Sequence, residues 1–410
     1  MAELKTLKLG GVVMFKNING LEYLVGNGEI NEISKDIFNQ EICDFLNDLS
    51  ILLQNHKLAK SFSDLRTLSF WCRKQNLYNL KKKFKTDEIR VGLGLIFHVT
   101  PSNIPTNFAY SLIFGLITGN ANVVKVPSKK FEQISIICSC LNNLIKKKKY
   151  SALKKKILVI RYKSNHDFTK LISSNCNSRV IWGGDKSISA IKKFPVREKC
   201  LDVTFPDKYS LSMINSSKVL KLNDYEIKLL VRKFYNDTFA VDQNACSSPH
   251  LVVWIGKDYK KAKNIFWQNL KHFVSTEYKM PDKASVDKFT QLCENILTIK
   301  NIKSEKRFGN LIYTIELKEL DDKLHTLRGK WGYFFEYNTN DIKNLTRYFN
   351  DKYQTLTYFG FNKKYFKKFF NNKNFSGIDR VVPIGQALDI GLIWDGYDIS
   401  KMLSKIIDIK

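Results

Sequence analysis

Short apolar runs alternate with segments of helical period along the chain, from about residue 90 onwards. Residues 91–99 form a continuous apolar run, as expected for a strand that is buried on both faces. Residues 129–149 instead place their apolar side chains every three to four positions, which is typical of an amphipathic helix. This alternation predicts βαβ units around a parallel sheet. This order of strands and helices is that of a doubly wound nucleotide-binding fold, although the order alone does not identify the ligand.

The same pattern gives the bounds of individual elements. Strands are predicted over residues 91–99, 123–126, 157–162, 179–182 and 250–255, and helices over residues 106–118, 129–149, 167–174 and 186–193. A further helix is predicted after Asn223, because Glu226 completes a capping box and an apolar stripe follows. That stripe consists of Ile227, Leu230, Val231 and Phe234. Residues 1–80 are weakly patterned and remain unassigned.

A chain of 410 residues exceeds what one hydrophobic core usually supports, so two domains are expected. A second set of elements begins after about residue 205.

The formal net charge of +28, from 67 basic and 39 acidic residues, raises the possibility of a polyanion partner. The lysines nevertheless occur in short scattered runs, which favours a solvated, lysine-rich surface. A basic nucleic-acid-binding protein is kept as the alternative from another class, and no nucleic-acid partner is expected.

Eight cysteines are too dilute for a disulfide scaffold, and neither C-x-x-C nor H-E-x-x-H occurs, so we expect no metal site. No window approaches the roughly 20 apolar residues of a membrane span. The first residues mix acidic and basic side chains, unlike a secretory signal. A cytoplasmic protein without a transmembrane segment is expected.

Cys246 is the first candidate for chemistry, because it lies in a polar loop before Pro249 rather than on an apolar helix face. A thiol in such a loop can be accessible and can have its pKa lowered by nearby dipoles. His250 is a possible base, although its position at the start of a strand favours a structural role. Gly183 and Gly184 end a predicted strand before a helix, where backbone N–H groups can bind a pyrophosphate.

Several motifs occur in order between residues 90 and 400. They are Thr100-Pro-Ser-Asn-Ile-Pro105, Gly119-Asn-Ala-Asn-Val-Val-Lys-Val-Pro-Ser128, Trp182-Gly-Gly-Asp185, Asp242-Gln-Asn-Ala-Cys-Ser-Ser-Pro249 and Asp379-Arg-Val-Val-Pro-Ile-Gly-Gln386 with Trp394-Asp-Gly-Tyr-Asp398. Together they resemble the LuxC-type acyl-CoA reductases, a branch of the aldehyde dehydrogenase superfamily that supplies fatty aldehyde to bacterial luciferase. The resemblance implies an aldehyde-dehydrogenase-like α/β fold. Its expected parts are an N-terminal region over residues 1–84, a Rossmann-type dinucleotide-binding domain over 85–203, an α/β catalytic domain over 204–376 and a segment over 377–410 that returns to the cofactor domain. The active site is expected in the cleft between the two domains.

The resemblance also implies roles for individual residues. Cys246 matches the nucleophile, and Asn103 matches the asparagine that, with the cysteine's backbone N–H, holds the oxyanion. Lys125 matches the lysine that contacts the cofactor's ribose, and Gly183 and Gly184 match the turn that starts the cofactor-binding helix.

The implied reaction is NADPH-dependent reduction of a long-chain fatty acyl thioester to fatty aldehyde through an acyl-cysteine. The acyl donor is expected to be acyl-CoA or an acyl-protein, with an acyl-protein synthetase as a possible partner, and the chain is expected to form a homo-oligomer. The alternative within the enzymes is an aldehyde dehydrogenase that produces acid.

One departure from the wider superfamily favours reduction. Thr204 stands where aldehyde-oxidising members have a general-base glutamate, if Lys208 aligns with the lysine of that segment. Without a positioned base, water attack on the acyl-enzyme loses roughly 10²- to 10⁴-fold. The thioester would then survive until hydride transfer.

Cofactor choice depends on the residues after Lys125. No acidic residue precedes Glu132, so Ser128, Lys129 or Lys130 can receive a 2′-phosphate, consistent with NADPH. The alternative is that Lys129 merely starts the next helix. For the late glutamate that orients the nicotinamide ribose, Glu336 is the nearest candidate.

Overall fold

A computed structural model describes residues 7–15, 20–84, 86–163, 166–371 and 376–410. Within those ranges none of the helices is both long enough and apolar enough to cross a membrane. The chain divides into two compact units, one of Met1–Pro206 with Tyr397–Lys410 and the other of Asp207–Gly396. Residues 377–396 therefore group with the second unit, whereas the prediction assigned the whole tail from residue 377 to the first.

The strands, in chain order, are β1 (Leu7–Leu9), β2 (Val12–Met14), β3 (Glu22–Val25), β4 (Glu29–Asn31), β5 (Ile89–Gly92), β6 (Leu95–Val99), β7 (Ala121–Lys125), β8 (Ile157–Arg161), β9 (Ser178–Trp182), β10 (Leu201–Phe205), β11 (Tyr209–Asn215), β12 (Pro249–Ile255), β13 (Ile302–Phe308), β14 (Ile312–Leu317), β15 (Tyr333–Thr339), β16 (Tyr353–Phe359), β17 (Arg380–Pro383), β18 (Ile393–Trp394), β19 (Tyr397–Asp398) and β20 (Ser404–Ile407).

The α-helices are α1 (Gln40–Asn55), α2 (Ser63–Trp71), α3 (Lys74–Lys83), α4 (Asn107–Ile117), α5 (Glu132–Ile145), α6 (His166–Ser173), α7 (Asp185–Lys192), α8 (Ser216–Val219), α9 (Asp224–Asp237), α10 (Tyr259–Glu277), α11 (Asp282–Thr298), α12 (Lys343–Thr346), α13 (Lys363–Asn371) and α14 (Ile399–Met402). Short 3-10 helices lie at Leu58–Ser61, Lys148–Leu153, Phe239–Val241 and Leu324–Thr326.

The first unit is built on a six-stranded sheet in the order β10-β9-β6-β7-β8-β3. All neighbours are parallel except the edge strand β3, which runs antiparallel to β8. The chain passes from β6 to β7 and β8 on one side and then returns to β9 on the other. This reversal is a topological switch point, where doubly wound folds bind their ligands. The predicted parallel sheet is confirmed.

The predicted strand over residues 91–99 is divided into β5 and β6 at Gly94. Gly94 has a φ of +128°, and a Cβ atom there would lie 2.5 Å from the side-chain oxygen of Asn177. That oxygen accepts the Leu95 N–H at 2.9 Å, so the break fixes where β6 begins. β5 then pairs with β20 instead of joining the main sheet.

The described parts of residues 7–84, most of which the sequence analysis left unassigned, contain β1–β4 and α1–α3. β1, β2 and β4 form a small antiparallel sheet. β3 extends the main sheet as its edge strand. Asn39 caps α1 by accepting the Glu41 N–H at 3.1 Å. The N-terminal region therefore completes the first unit rather than forming a separate domain.

The second unit is built on a seven-stranded sheet in the order β13-β14-β15-β12-β11-β16-β17. β13 runs antiparallel to β14, and the other neighbours are parallel. Two apolar clusters contain alternate residues of its central strands, as expected when a sheet is covered on both faces. The capping box of Asn223 and Glu226 is present at the start of α9, and its predicted apolar stripe is buried.

Candidate active site

Cys246 follows a tightly folded turn between the 3-10 helix Phe239–Val241 and β12. Asp242 and Gln243 both have left-handed backbone conformations, with φ of +52° and +56°. Such conformations are costly for residues other than glycine and persist when the surroundings hold them. Here the hydroxyl of Tyr278 donates to the carboxylate of Asp242, and the Trp331 N–H bonds its carbonyl at 3.4 Å. Residues outside the cysteine loop therefore hold its backbone conformation.

Gln243 is the second anchor of this loop, and its side chain is 1% exposed. Its Oε1 accepts the N–H groups of Gly332 and Tyr333 at 2.8 and 3.0 Å. Its Nε2 donates to the carbonyls of Pro249 and Tyr333 at 3.2 and 3.1 Å. These bonds join the cysteine loop to the start of β12 and to the start of β15. Gly332 is required there, because a Cβ atom would lie 2.3 Å from the carbonyl oxygen of Leu311.

The sulfur of Cys246 is half-buried and faces a carboxylate. Its Sγ donates to Oδ1 of Asp207 at 3.5 Å. Burial raises the pKa of the Cys246 thiol to about 11, with the backbone N–H of Lys208 acting in the opposite direction and the charge of Asp207 adding to the rise. The expected lowering of this pKa by dipoles is wrong, because burial outweighs the single backbone donor.

A group of charged residues surrounds the cysteine within the second unit. Arg328 donates to Asp207 Oδ1 at 2.8 Å and to the Lys208 carbonyl at 2.9 Å. The ammonium of Lys208 pairs with Asp379 at 2.7 Å. The Cys246 carbonyl accepts the Ser210 hydroxyl at 2.6 Å, which ties the loop to β11. Both the sulfur and its backbone are thus fixed by residues of the segment that opens the unit.

The late sequence motifs, which had no derived role, support this surrounding structure. Asp379 of the first motif binds Lys208. Arg380 donates to the carbonyls of Ala387 and Asp389 at 3.0 and 2.9 Å and lies over the ring of Trp394, 4.3 Å from its centroid. The described hydrogen bonds of Arg380 all go to backbone carbonyls.

Asp395, from the second late motif, is a buried carboxyl in a left-handed conformation with φ of +48°. Nε2 of Gln354 donates to it. Burial raises the pKa of Asp395 to about 7, with Lys208 and the Gln354 hydrogen bond opposing the rise. Asp395 is therefore expected to change its protonation state near neutral pH.

Two sequence candidates, His250 and Glu336, make buried contacts within the second unit. His250 is buried and stacks on Tyr209 with ring centroids 5.5 Å apart, and burial lowers its pKa to about 3. Glu336 is 1% exposed; its Oε1 accepts the indole N–H groups of Trp254 and Trp267 at 2.8 and 2.9 Å, and Lys263 pairs with Oε2 at 3.0 Å. Both carboxylate oxygens of Glu336 therefore have partners within the second unit.

Asn103, the expected oxyanion donor, lies at the same edge of the first unit's sheet as residues expected to bind cofactor. Asn103 follows β6, Lys125 ends β7, and Gly183 and Gly184 follow β9. Because these strands are parallel and adjacent, their carboxyl ends share an edge on either side of the switch point. Asn103 is exposed, and its loop is tied to β7 by Thr100, whose hydroxyl donates to the Lys125 carbonyl at 2.9 Å.

Lys125, Ser128 and Lys129 differ in exposure. Lys125 is half-buried with its ammonium 5.0 Å from the ring centroid of Tyr162, and burial lowers its pKa. Ser128 and Lys129 are exposed and lie in the loop between β7 and α5. Because α5 begins at Glu132, Lys129 belongs to the loop and does not start the helix.

A network of buried, hydrogen-bonded polar side chains joins the strands of this sheet. Ser111 of α4 accepts the indole N–H of Trp182 at 3.0 Å and bonds Nδ1 of His98 at 2.7 Å. Nε2 of His98 bonds Asn122 at 3.0 Å. Burial lowers the pKa of His98 to about 4, so the ring is neutral. This network links β6, β7, β9 and α4. The sequence analysis missed it because its members are far apart along the polypeptide.

The residues at this edge fit a dinucleotide phosphate. Gly184 is the N-cap of α7 and provides no capping side chain, and a Cβ atom there would meet nothing within 4 Å. Backbone N–H groups at an open helix N-terminus attract phosphate. Asp185 in the first turn acts against this attraction. Among the described residues no group of three or more His, Cys, Asp or Glu could hold a metal ion.

Comparison with solved structures identifies the fold. The chain resembles an NAD-dependent benzaldehyde dehydrogenase from Corynebacterium glutamicum over 99% of its own length and 98% of that chain, with 9% identity and a TM-score of 0.63. It resembles aldehyde dehydrogenase 21 from Physcomitrella patens over 90% and 85%, with 13% identity and a TM-score of 0.61. It also resembles a variant of proline utilization A from Bradyrhizobium japonicum, with 12% identity and a TM-score of 0.60. There it covers 90% of its own length but spans only 42% of that larger protein.

Comparison at the level of sequence identifies the family. No curated protein matches the chain. A family model described as acyl-CoA reductase (LuxC) matches residues 39–323, which is more than half of the chain. The family and the fold together imply an oxidoreductase with a nicotinamide cofactor. The chain belongs to the LuxC family of acyl-CoA reductases and has the fold of the aldehyde dehydrogenases.

Proposed function

We propose that this protein reduces a long-chain fatty acyl thioester to fatty aldehyde with NADPH, through an acyl group carried on Cys246. The observation that carries the proposal is the sulfur of Cys246, half-buried at the end of a turn that Gln243 fixes and 3.5 Å from a carboxylate oxygen. A cysteine held only for packing needs neither a left-handed turn nor a charged neighbour. The membership of the LuxC family supports the substrate class.

The chemistry divides between groups of this chain and the cofactor. Sulfur attack on a thioester carbonyl creates an oxyanion, for which the Cys246 backbone N–H and the Asn103 side-chain amide are the proposed donors. Such a donor contributes about 3 kcal/mol of transition-state stabilisation. The nicotinamide, when bound, supplies the hydride that releases the aldehyde.

The proposed cofactor residues are Lys125, Ser128, Lys129, Gly183 and Gly184. The N-terminus of α7 behind Gly184 would hold the pyrophosphate, and Lys125 the ribose. Ser128 and Lys129, both exposed after β7, would receive a 2′-phosphate and favour NADPH over NADH. The Lys129→Glu variant is expected to raise KM for NADPH and to leave KM for NADH unchanged or lower.

The remaining parts of the proposal concern context. The acyl donor is fatty acyl-CoA or an acyl-protein, with an acyl-protein synthetase as a possible partner, in a cytoplasmic homo-oligomer. A cofactor domain over residues 85–203 would bind the nucleotide, and a catalytic domain over residues 204–376 would carry the reactive sulfur.

The test is intact mass spectrometry of the protein incubated with a fatty acyl-CoA in the absence of cofactor. One added acyl group that maps to Cys246, disappears on adding NADPH and yields aldehyde supports the proposal. The control is Cys293→Ala, since Cys293 is an exposed cysteine of the same unit. Acylation that persists in Cys246→Ala but not in Cys293→Ala would refute the role of Cys246.

Oxidation of an aldehyde to acid is the second candidate function. Thr204 in β10 provides no base, but Asp207 places a carboxylate beside the sulfur. A carboxylate there can also activate water. The ratio of fatty acid to aldehyde formed from the acylated protein with NADPH present separates the two functions.

A further inference from the structure

The Cys246 thiol must lose its proton during acylation, because the thiolate is the nucleophile. Burial holds its pKa at about 11, so the thiolate is scarce at neutral pH. An acceptor within hydrogen-bond reach of the sulfur would remove the proton as the new bond forms. The question is which residue of the second unit can do this.

Geometry selects Asp207 among the titratable groups around the cysteine. Its Oδ1 already accepts the thiol hydrogen bond at 3.5 Å. The Lys208 ammonium is occupied by Asp379, and the ring of His250 is buried against Tyr209. Asp395 contributes to the charge at the sulfur and has no described hydrogen bond to it.

Arg328 holds the carboxylate in this position. Its Nη1 donates to Asp207 Oδ1 at 2.8 Å and its Nη2 donates to the Lys208 carbonyl at 2.9 Å. The Arg328 carbonyl is itself bonded by Gln291 at 2.5 Å. Asp207 remains 53% exposed, so a proton on it can be exchanged with substrate or solvent.

We propose that Asp207 takes the thiol proton of Cys246 as the sulfur attacks the substrate thioester, with Arg328 positioning the carboxylate. The inference rests on the proposed function and adds a catalytic residue to it. Asp207 lies three residues after Thr204, the residue that the Lys208 alignment matches to the superfamily's base, and its carboxylate is 3.5 Å from the sulfur.

The step balances without a redox partner. The S–H bond of Cys246 breaks, its proton moves to the Asp207 carboxylate, and a C–S bond forms while the carbonyl electron pair moves to oxygen. Collapse re-forms the carbonyl and breaks the bond to the departing thiolate. That thiolate takes the proton from Asp207 and leaves as a free thiol, so Asp207 is regenerated.

Two rates measured on the Asp207→Asn variant should change in opposite directions. The negative charge of Asp207 raises the pKa of Cys246, so its removal should lower that pKa and speed alkylation by iodoacetamide at a given pH. Acylation should nevertheless slow by roughly 10²- to 10⁴-fold, the usual contribution of a general base. A purely electrostatic or structural role would move both rates in the same direction.

The experiment uses the full-length protein, a fatty acyl-CoA and no cofactor, and follows the release of coenzyme A thiol over a single turnover between pH 6 and 9. The pH profile of Cys246 alkylation is measured in parallel. Asp224→Asn is the matched control, because Asp224 also pairs with a cation, Lys228 at 2.5 Å, on the exposed surface of α9. Asp207→Glu, which retains a carboxylate, should recover part of the acylation rate.

The possible results distinguish a failure of the role inferred for Asp207 from a failure of the proposed function. Slow acylation with unchanged or faster alkylation supports Asp207 as the proton acceptor. Acylation that stays normal or rises with alkylation overturns it, as does a parallel fall in both rates. Normal acylation with slower hydrolysis of the acyl-enzyme also overturns it and assigns Asp207 to water. If wild-type Cys246 is not acylated at all, the proposed function itself fails.

Discussion

Replacing Gln243 by leucine tests how the cysteine loop is held. The amide makes four hydrogen bonds to backbone groups at 2.8 to 3.2 Å, and its side chain is 1% exposed. Each such bond contributes about 1 kcal/mol net to stability, and an unsatisfied buried partner costs more. Leucine offers similar volume but no polar atom. We therefore expect Gln243→Leu to lower the free energy of unfolding by about 4 kcal/mol.

Urea unfolding followed by tryptophan fluorescence measures this loss, because Trp254 and Trp267 are buried in the second unit and report on its core. The control is Gln268→Leu, at an exposed position of α10 in the same unit, where a change below about 0.5 kcal/mol is expected. The rate of Cys246 alkylation should change in Gln243→Leu and not in Gln268→Leu.

A loss in Gln243→Leu no larger than that in Gln268→Leu would refute this reasoning. It would mean that Tyr278 and Trp331, through Asp242, hold the left-handed turn without the amide. A large loss of stability with an unchanged alkylation rate would show that Gln243 supports β15 rather than the cysteine.

Three further predictions concern buried charge and the cofactor. Asp395 has a folded-state pKa of about 7 against 3.8 when unfolded, so its contribution to stability is present below pH 4 and is lost as pH rises to about 7. The Asp395→Asn variant should remove at most about 4 kcal/mol of this decline in the free energy of unfolding. Parallel curves of unfolding free energy against pH for the two proteins would contradict this prediction. Glu336→Gln should lower the urea midpoint without changing KM for the cofactor, because the carboxylate bonds tryptophans and Lys263; a raised KM at unchanged stability would restore a ribose role. Lys125→Ala should raise KM for NADPH roughly tenfold in steady-state kinetics, whereas an unchanged KM would remove Lys125 from the cofactor site.

The fold could be predicted where local pattern and packing agree. In the first unit, β6 and β8 are almost entirely apolar because both faces of each strand are buried, and α9 of the second unit carries its capping box and stripe in sequence. The strands β1–β4 gave no such signal, since they are only three or four residues long. The division of the run over 91–99 depends on Asn177, which is 83 positions after Gly94 and therefore invisible to a local pattern.

The candidate site shows the same limit at the level of chemistry. The motifs were sufficient to select Cys246, but its pKa depends on burial and on the field of Asp207 and Arg328, which only the tertiary structure brings together. Glu336 was selected by residue type and position along the chain. Its burial between two indole N–H groups is a property of the α10 packing, which no spacing along β15 reveals.

The absence of a base at Thr204 is therefore not enough to explain why an acyl group would survive on Cys246. A carboxylate is present at the sulfur, so survival must depend on what that carboxylate is bonded to. Oδ1 of Asp207 accepts hydrogen bonds from Arg328 and from the Cys246 thiol, and only the Arg328 bond can remain once the sulfur is acylated. A base serves hydrolysis only if it is placed along the path of the attacking water. In this chain the position of the carboxylate, rather than its absence, is what would separate reduction from hydrolysis.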